Sequence, residues 1–122
     1  MKTSELTGAA LDWAVGMAEG YELSLYGVDP SIRARVPGLG VHAPWAPRKY
    51  WNQGGPIIER EFIELTTTNR SNDELWEALG RGFGEDCPTG HGTTPLIAAM
   101  RCYVASKLGD EVEIPPELTS YQ

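Results

Sequence analysis

Apolar positions repeat at helical spacing in two parts of the chain, one near each end. The first stripe predicts a helix over Gly8–Glu19 and the second predicts a helix over Pro95–Leu108. Each is bounded by a capping residue and a glycine, Thr7 and Gly20 for the first and Thr94 and Gly109 for the second. Proline directly after Thr94 suits the first position of a helix, because that position needs no amide hydrogen.

The middle of the chain alternates between strand-like and breaker-rich segments. Alternating polarity predicts strands over Tyr21–Tyr26 and Ser31–Val36, and an apolar run predicts the best strand over Ile57–Thr67. A capping-box pattern at Ser71–Glu74 predicts a short helix over Asn72–Leu79, followed by a loop over residues 80–92. Ten glycines and prolines between residues 27 and 56 exclude a long regular element there.

These elements predict an α+β fold. We expect a small single domain over residues 1–114, with about three helices packed on a short, mainly antiparallel sheet and long Gly/Pro-rich loops. Residues 115–122, which begin with Pro115-Pro116, are expected to form an extended C-terminal tail. A chain of 122 residues is long enough to bury one core without a metal ion or a disulfide.

Charge is unevenly distributed along an acidic chain. The net charge is −7, whereas residues 29–50 hold four cations and one carboxylate, or +4 − 1 = +3, which leaves −10 for the remainder. An acidic body argues against general or sequence-specific nucleic-acid binding, since phosphate backbones favour a broadly positive surface. No apolar run is long enough to cross a membrane and no signal peptide is evident, so we expect a cytoplasmic protein that does not bind membranes.

Catalytic and metal-binding signatures are weak. The cysteines, Cys87 and Cys102, form no CxxC pattern, and two histidines without paired spacing do not predict a zinc site. A Cys–His pair between Cys87 and His91 is conceivable, but buried or half-buried cysteines are the simpler interpretation. We therefore assign no catalytic residue, no metal and no cofactor.

The most informative segment runs from residue 45 to residue 60 and combines aromatic rings, cations and glycines. Aromatic faces, cations and open backbone amides are the groups that hold a flat, anionic small molecule. The candidate ligand-binding residues are Trp45, Arg48, Tyr50, Trp51, Asn52, Gln53, Gly54, Gly55, Pro56 and Arg60, with Thr94 at the start of the last helix.

Each group of candidates has a structural alternative. Trp45 and Trp51 are assigned to stacking, but at least one aromatic of this loop is expected to face the core. Arg48 and Arg60 are assigned to phosphates, with Lys49 beside them, although exposed cations are often only solvated. The amides of Gln53 and its neighbours can read a base edge or cap a turn, and Gly54-Gly55-Pro56 can simply form a tight turn before a strand.

Three segments resemble the NinX-type proteins of lambdoid bacteriophages, a domain of unknown function. They are Leu6–Val15, Gln53–Glu61 and Thr94–Val112. The resemblance implies a phage accessory protein encoded near replication and recombination genes, and it implies no enzymatic activity. By analogy with phage proteins that trap nucleotide-derived defence signals, we expect a nucleotide-like ligand, a homo-oligomer and a location in the cytoplasm of the infected host.

Two other functions remain open at the level of sequence. The aromatic segment can act as a hot spot for a host or phage protein, with the acidic body steering association. A nuclease-type or nucleotide-processing enzyme is the third possibility, and it would show turnover.

Overall fold

Two helices have the bounds that their flanking residues predict. In the computed structural model, which describes residues 1–26, 31–35, 42–68, 75–80 and 88–119, helix α1 spans Gly8–Glu19 and ends at Gly20, which adopts a φ of 78°. Thr94 begins the long C-terminal helix, Pro95–Leu108, and its hydroxyl oxygen accepts the Ile97 amide at 3.1 Å. Both predictions are confirmed.

Six strands form two separate antiparallel sheets. The first contains β1 (Glu22–Tyr26), β2 (Ser31–Arg35) and β3 (His42–Pro44), in that order. The second contains β4 (Ile63–Thr67), β5 (Trp76–Gly80) and β6 (Thr89–Gly92). Both are simple meanders, with Leu25 opposite Ile32 in the first and Leu65 opposite Ala78 in the second. The predicted α+β class is confirmed, with two small sheets in place of one.

Helix α2, Trp51–Arg60, stands where the sequence predicts a glycine turn and the beginning of a strand. The prediction of a strand over Ile57–Thr67 is therefore right only from Ile63 onward. A proline inside a helix removes one amide donor and crowds the residue before it. Here that preceding residue is Gly55, which has no Cβ to clash with the Pro56 ring, and the helix continues for four residues beyond the proline.

The predicted helix over Asn72–Leu79 is wrong in the part that the structure describes. Leu75 precedes β5, whose residues Ala78 and Gly80 are buried at alternate positions. Ser71–Glu74, the predicted capping box, lies outside the described residues, as does Cys87. The loop predicted over residues 80–92 contains β6 at its C-terminal end.

The helix Pro95–Leu108, hereafter α3, is the centre of the fold. It packs against the second sheet on one side and against α1 and α2 on others, while the first sheet packs on α1. Gly90 of β6 approaches α3 so closely that an added Cβ would overlap the carbonyl oxygen of Ala98. The core around α3 includes the fully buried Leu11, Met100 and Tyr103.

The two ends of the described chain are paired. The Met1 amine donates to the Val112 carbonyl at 3.0 Å, and the Val112 amide donates to the Met1 carbonyl at 2.9 Å. The segment predicted to be an extended tail contains a short helix, α4 (Pro116–Thr119), whose Leu118 is buried. The buried Leu118 side chain anchors this turn on the domain.

Candidate functional site

A groove between the N-terminal ends of α2 and α3 brings three of the predicted binding residues together. These are Arg48, Trp51 and Thr94. The cavity has a volume of about 360 Å³, and Lys49, Pro95, Leu96 and Ile97 complete its lining. We refer to this cavity as the α2–α3 groove.

The chain that enters α2 is held in place by side chains that the sequence assigns to a ligand. Trp45 is 5% exposed, its indole Nε1–H donates to the carbonyl oxygen of Asp12 at 3.0 Å, and its ring meets the Tyr21 ring edge-on at 5.3 Å. Gln53 accepts the Ala46 amide at 2.7 Å and donates to the Pro44 carbonyl at 2.8 Å. Trp45 and Gln53 therefore shape the segment before α2, and neither lines the groove.

Asp12 fixes the position of Arg48, one of the two cationic residues that line the groove. Its carboxylate, 3% exposed, accepts the Arg48 amide at 3.2 Å and the Arg48 Nε at 2.9 Å. Burial raises the pKa of Asp12 from 3.8 to about 7, while the positive charge and hydrogen bonds of Arg48 act in the opposite direction. Sequence reasoning missed Asp12, although an acid within the apolar stripe of α1 was a signal that it has a buried partner.

Exposed aromatic rings flank the start of α2. Tyr50 is 44% exposed and Trp51 is 54% exposed, and Trp51 lines the groove. The Lys49 ammonium lies 5.5 Å from the centre of the Tyr50 ring, a cation–π contact. Asn52 and Pro56 are exposed on α2 and do not line the groove.

The opposite wall of the groove is the first turn of α3. Leu96 and Ile97 supply an aliphatic surface, and Leu96 is 4% exposed. Helix N-termini attract anions through free amides, but Pro95 has no amide hydrogen and the Ile97 amide is bound by Thr94. This wall is therefore mainly apolar.

The two glycines of α2 have different surroundings. A Cβ on Gly54 would lie 2.5 Å from the Pro47 carbonyl oxygen and 2.6 Å from the Leu96 Cδ2, so its absence allows α2 to approach α3 closely. A Cβ on Gly55 would have Trp51 Cε3 as its nearest neighbour, at 3.8 Å. Gly54 thus sets the spacing of the helices that form the groove.

Arg60 lies at the other end of α2 and is bound to protein groups. Its guanidinium donates to both Glu19 carboxylate oxygens, at 2.8 and 3.1 Å, to Glu61 at 2.8 Å and to the Tyr103 hydroxyl at 3.2 Å. Glu19 and Glu61 raise the pKa of Arg60, and Arg60 in turn lowers the pKa of Glu61. Arg60 joins three helices and is separated from the groove.

A second cavity, of about 380 Å³, lies between the N-terminal segment, β6 and α3. It was not predicted from the sequence. His91 lines it, and its Nε2 lies 2.9 Å from a Glu77 carboxylate oxygen. Arg101 also lines it and donates to the backbone carbonyls of Leu6 and His91.

In the described part of the chain, neither cavity contains a cluster of metal-binding side chains. Among the described residues, no group of three or more His, Cys, Asp or Glu side chains is placed to hold a metal ion. Within the same part of the chain, no helix is long and apolar enough to cross a membrane. Cys102 is buried, and its thiol donates to the Pro88 carbonyl at 3.3 Å.

The sequence that forms this fold and this groove matches a known protein family. The model of the family Bacteriophage P22, NinX matches residues 2–107, which is most of the chain and includes the whole groove. The chain belongs to the NinX family. The resemblance recognised in three segments of the sequence is thereby confirmed. No curated protein matches the chain. NinX membership identifies a phage protein and names no reaction, so the chemistry must be argued from the groove.

Proposed function

We propose that this NinX-family protein binds and sequesters a nucleotide-derived signalling molecule, without converting it, and thereby counters host antiviral defence. The observation that carries the proposal is the α2–α3 groove, in which an exposed tryptophan, a lysine and an aliphatic wall surround one small-molecule-sized space. A base can stack on Trp51 while Lys49 faces its phosphate. Base–aromatic stacking contributes roughly 1–3 kcal/mol per base.

Sequestration requires tight binding and a slow release, and it requires no catalytic group. The groove residues Arg48, Lys49, Trp51 and Thr94 include no carboxylate, histidine or cysteine to act as a general base or nucleophile. The nearby Asp12 carboxylate is buried and bound to Arg48. The protein would act in the cytoplasm of the infected bacterium, where such signals accumulate, and a homo-oligomer would supply several grooves.

A thermal-shift screen against mono-, di- and cyclic nucleotides and ADP-ribose derivatives tests the proposal. Ligand at about 100 times its dissociation constant adds roughly 2.7 kcal/mol of stability, which for this chain length corresponds to a shift of about 10 °C. Trp51→Ala is expected to abolish the shift with an unaltered circular dichroism spectrum. The matched control is Phe62→Ala, because Phe62 is an exposed aromatic, 72% accessible, that does not line the groove.

Unchanged affinity in folded Trp51→Ala would refute the assignment. Recovery of the bound nucleotide in altered form would instead identify an enzyme. Both experiments use the full chain.

A protein-interaction inhibitor or adaptor is the second candidate, favoured by the exposed aromatics at both ends of α2. Tyr50 and Trp51 lie at its start, and Phe62 follows its end with a positive φ of 54°. An interface over α2 would depend on Phe62 as well as Trp51. Loss of one stoichiometric partner from host lysate in both alanine variants would support it, whereas the nucleotide proposal requires that only Trp51→Ala matter.

A further inference from the structure

We propose that one α2–α3 groove accepts a single nucleotide unit carrying one phosphate, and not a polyphosphate or a molecule with two stacked bases. This inference rests on the proposed function. It assigns the ligand class from three properties of the groove: its size, its aromatic surface and its charge.

The size and the aromatic surface fit one base. A volume of about 360 Å³ is near the lower end of the range of roughly 300–1,000 Å³ that small-molecule sites occupy. Trp51 is the aromatic side chain in the lining of the groove, while Trp45 is buried and packs edge-on against Tyr21. Among the described residues that line the groove, a second base would find no other ring on which to stack.

The charge of the groove fits one phosphate. Arg48 is held by the buried Asp12 side chain, which accepts its Nε at 2.9 Å and its amide at 3.2 Å, so releasing the guanidinium to follow a ligand would break a hydrogen bond to a buried group. Lys49 forms no ion pair with a carboxylate in the described part of the chain; its ammonium lies 5.5 Å from the centre of the Tyr50 ring, and its charge also acts on the buried Asp12. Lys49 is therefore the cation that remains to balance the ligand.

The other candidates for phosphate contacts do not add to this charge. Arg60 is bound to Glu19 and Glu61 at the far end of α2 and does not line the groove. At the N-terminus of α3, Pro95 has no amide hydrogen and Thr94 binds the Ile97 amide. Additional phosphates would thus extend into solvent beside an acidic protein of net charge −7.

Isothermal titration calorimetry on the full chain tests the inference with AMP, cyclic AMP, ADP, ATP and cyclic di-AMP. Stacking tolerates any base, so adenine serves as the probe. AMP and cyclic AMP are expected to bind one per chain, with ADP and ATP within about threefold of AMP. Lys49→Met is expected to weaken AMP and ATP equally, by about tenfold, since one charge-assisted contact is lost from each.

Lys107→Met is the matched control, because it makes the same change of charge on α3 beside Glu61, away from the groove. It is expected to leave AMP affinity unchanged. Binding of ATP or cyclic di-AMP tenfold or more tightly than AMP would overturn this inference and leave the proposed function standing. Binding of none of the five would overturn this inference, and a flat thermal-shift screen beside it would overturn the proposed function as well.

Discussion

The adjacent glycines of α2 offer a sharp test of the packing that forms the groove. A methyl group at Gly54 would lie 2.5 Å from a backbone oxygen, that of Pro47, and 2.6 Å from the Leu96 side chain. The side chain can rotate away, but the carbonyl moves only if the segment before α2 moves. Overpacking of this kind costs typically about 1–3 kcal/mol, and the higher helix propensity of alanine returns up to about 1 kcal/mol.

The clash with a backbone oxygen at 2.5 Å places Gly54→Ala in the upper part of that range, about 2–3 kcal/mol, so after the gain in helix propensity the free energy of unfolding is expected to fall by about 1–2 kcal/mol. The entropy of unfolding is about 2.1 cal/mol/K per residue, or roughly 0.26 kcal/mol/K for a chain of this length, so Tm should fall by about 4–8 °C. Urea denaturation followed by circular dichroism measures the first quantity, and differential scanning calorimetry the second.

Gly55→Ala is the control in the same helix turn. Its nearest neighbour would be 3.8 Å away, an ordinary contact, but an alanine before Pro56 is disfavoured in helical geometry and offsets the gain in propensity. We expect its stability to stay within about 1 kcal/mol of the parent. A Gly54→Ala protein as stable as the parent, or more stable, would refute the close approach of α2 to α3.

Two further predictions concern charged groups. Because burial raises the pKa of Asp12 from 3.8 to about 7, folded protein holds its proton more tightly, and the stability that Asp12 contributes falls as the pH rises between those values. The unfolding free energy of the parent, relative to that of Asp12→Asn, should therefore fall from pH 4 to pH 8. The fall is at most about 4 kcal/mol, at 1.36 kcal/mol per pKa unit. Urea titrations that give the same difference at both pH values would contradict the raised pKa. Arg60→Gln should lower the free energy of unfolding by about 1–2 kcal/mol, because Glu19 loses the cation that it binds. This figure already allows for solvent screening of the half-exposed Arg60 side chain. The increase in Tm that a nucleotide produces should be unchanged in that variant. Loss of this increase would show that Arg60 contacts the ligand.

The sequence predicts helices well where both ends are marked. Thr94-Pro95 and Gly109 bound α3, and Gly20 ends α1, so local residues are enough to predict where these helices begin and end, although Thr7 makes no side-chain capping hydrogen bond at the start of α1. The Gly54-Gly55-Pro56 segment fails for the opposite reason. Its residues have poor helix propensity. The helix is stabilised instead by packing against α3, and this close packing is possible because Gly54 has no side chain.

Strand β5 shows how pairing overrides a local pattern. Leu75, Trp76 and Leu79 are spaced as on a helix face, but the segment lies between two partners, with Ala78 opposite Leu65 on one side and Gly90 on the other. Both partners are the strands that neighbour β5 along the chain, but pairing between strands is not visible in the local periodicity of residues 75–79.

The candidate site was predictable in composition and not in arrangement. The cations and aromatics of residues 45–60 were evident in the sequence. A loop would have allowed them to lie close together, but helix α2 holds the residues at its two ends apart. Trp51 reaches the groove at the N-terminus of α2, while Arg60 lies at the C-terminus, about 14 Å along the axis by the rise of 1.5 Å per residue. The opposite wall, Thr94 to Ile97, comes from a distant part of the chain, so only Thr94 was identified.

The central position of α3 has a consequence for how the chain folds during synthesis. Helix α1 leaves the ribosome before α3, but α3, against which α1 packs, ends only at Leu108. At roughly 5–20 residues per second, translation takes about 4–18 s to pass from one helix to the other. The second sheet and α3 are contiguous in the sequence and can assemble locally, whereas α1 must wait for them. A nascent chain that stops before α3 thus leaves the apolar stripe of α1 without its main partner.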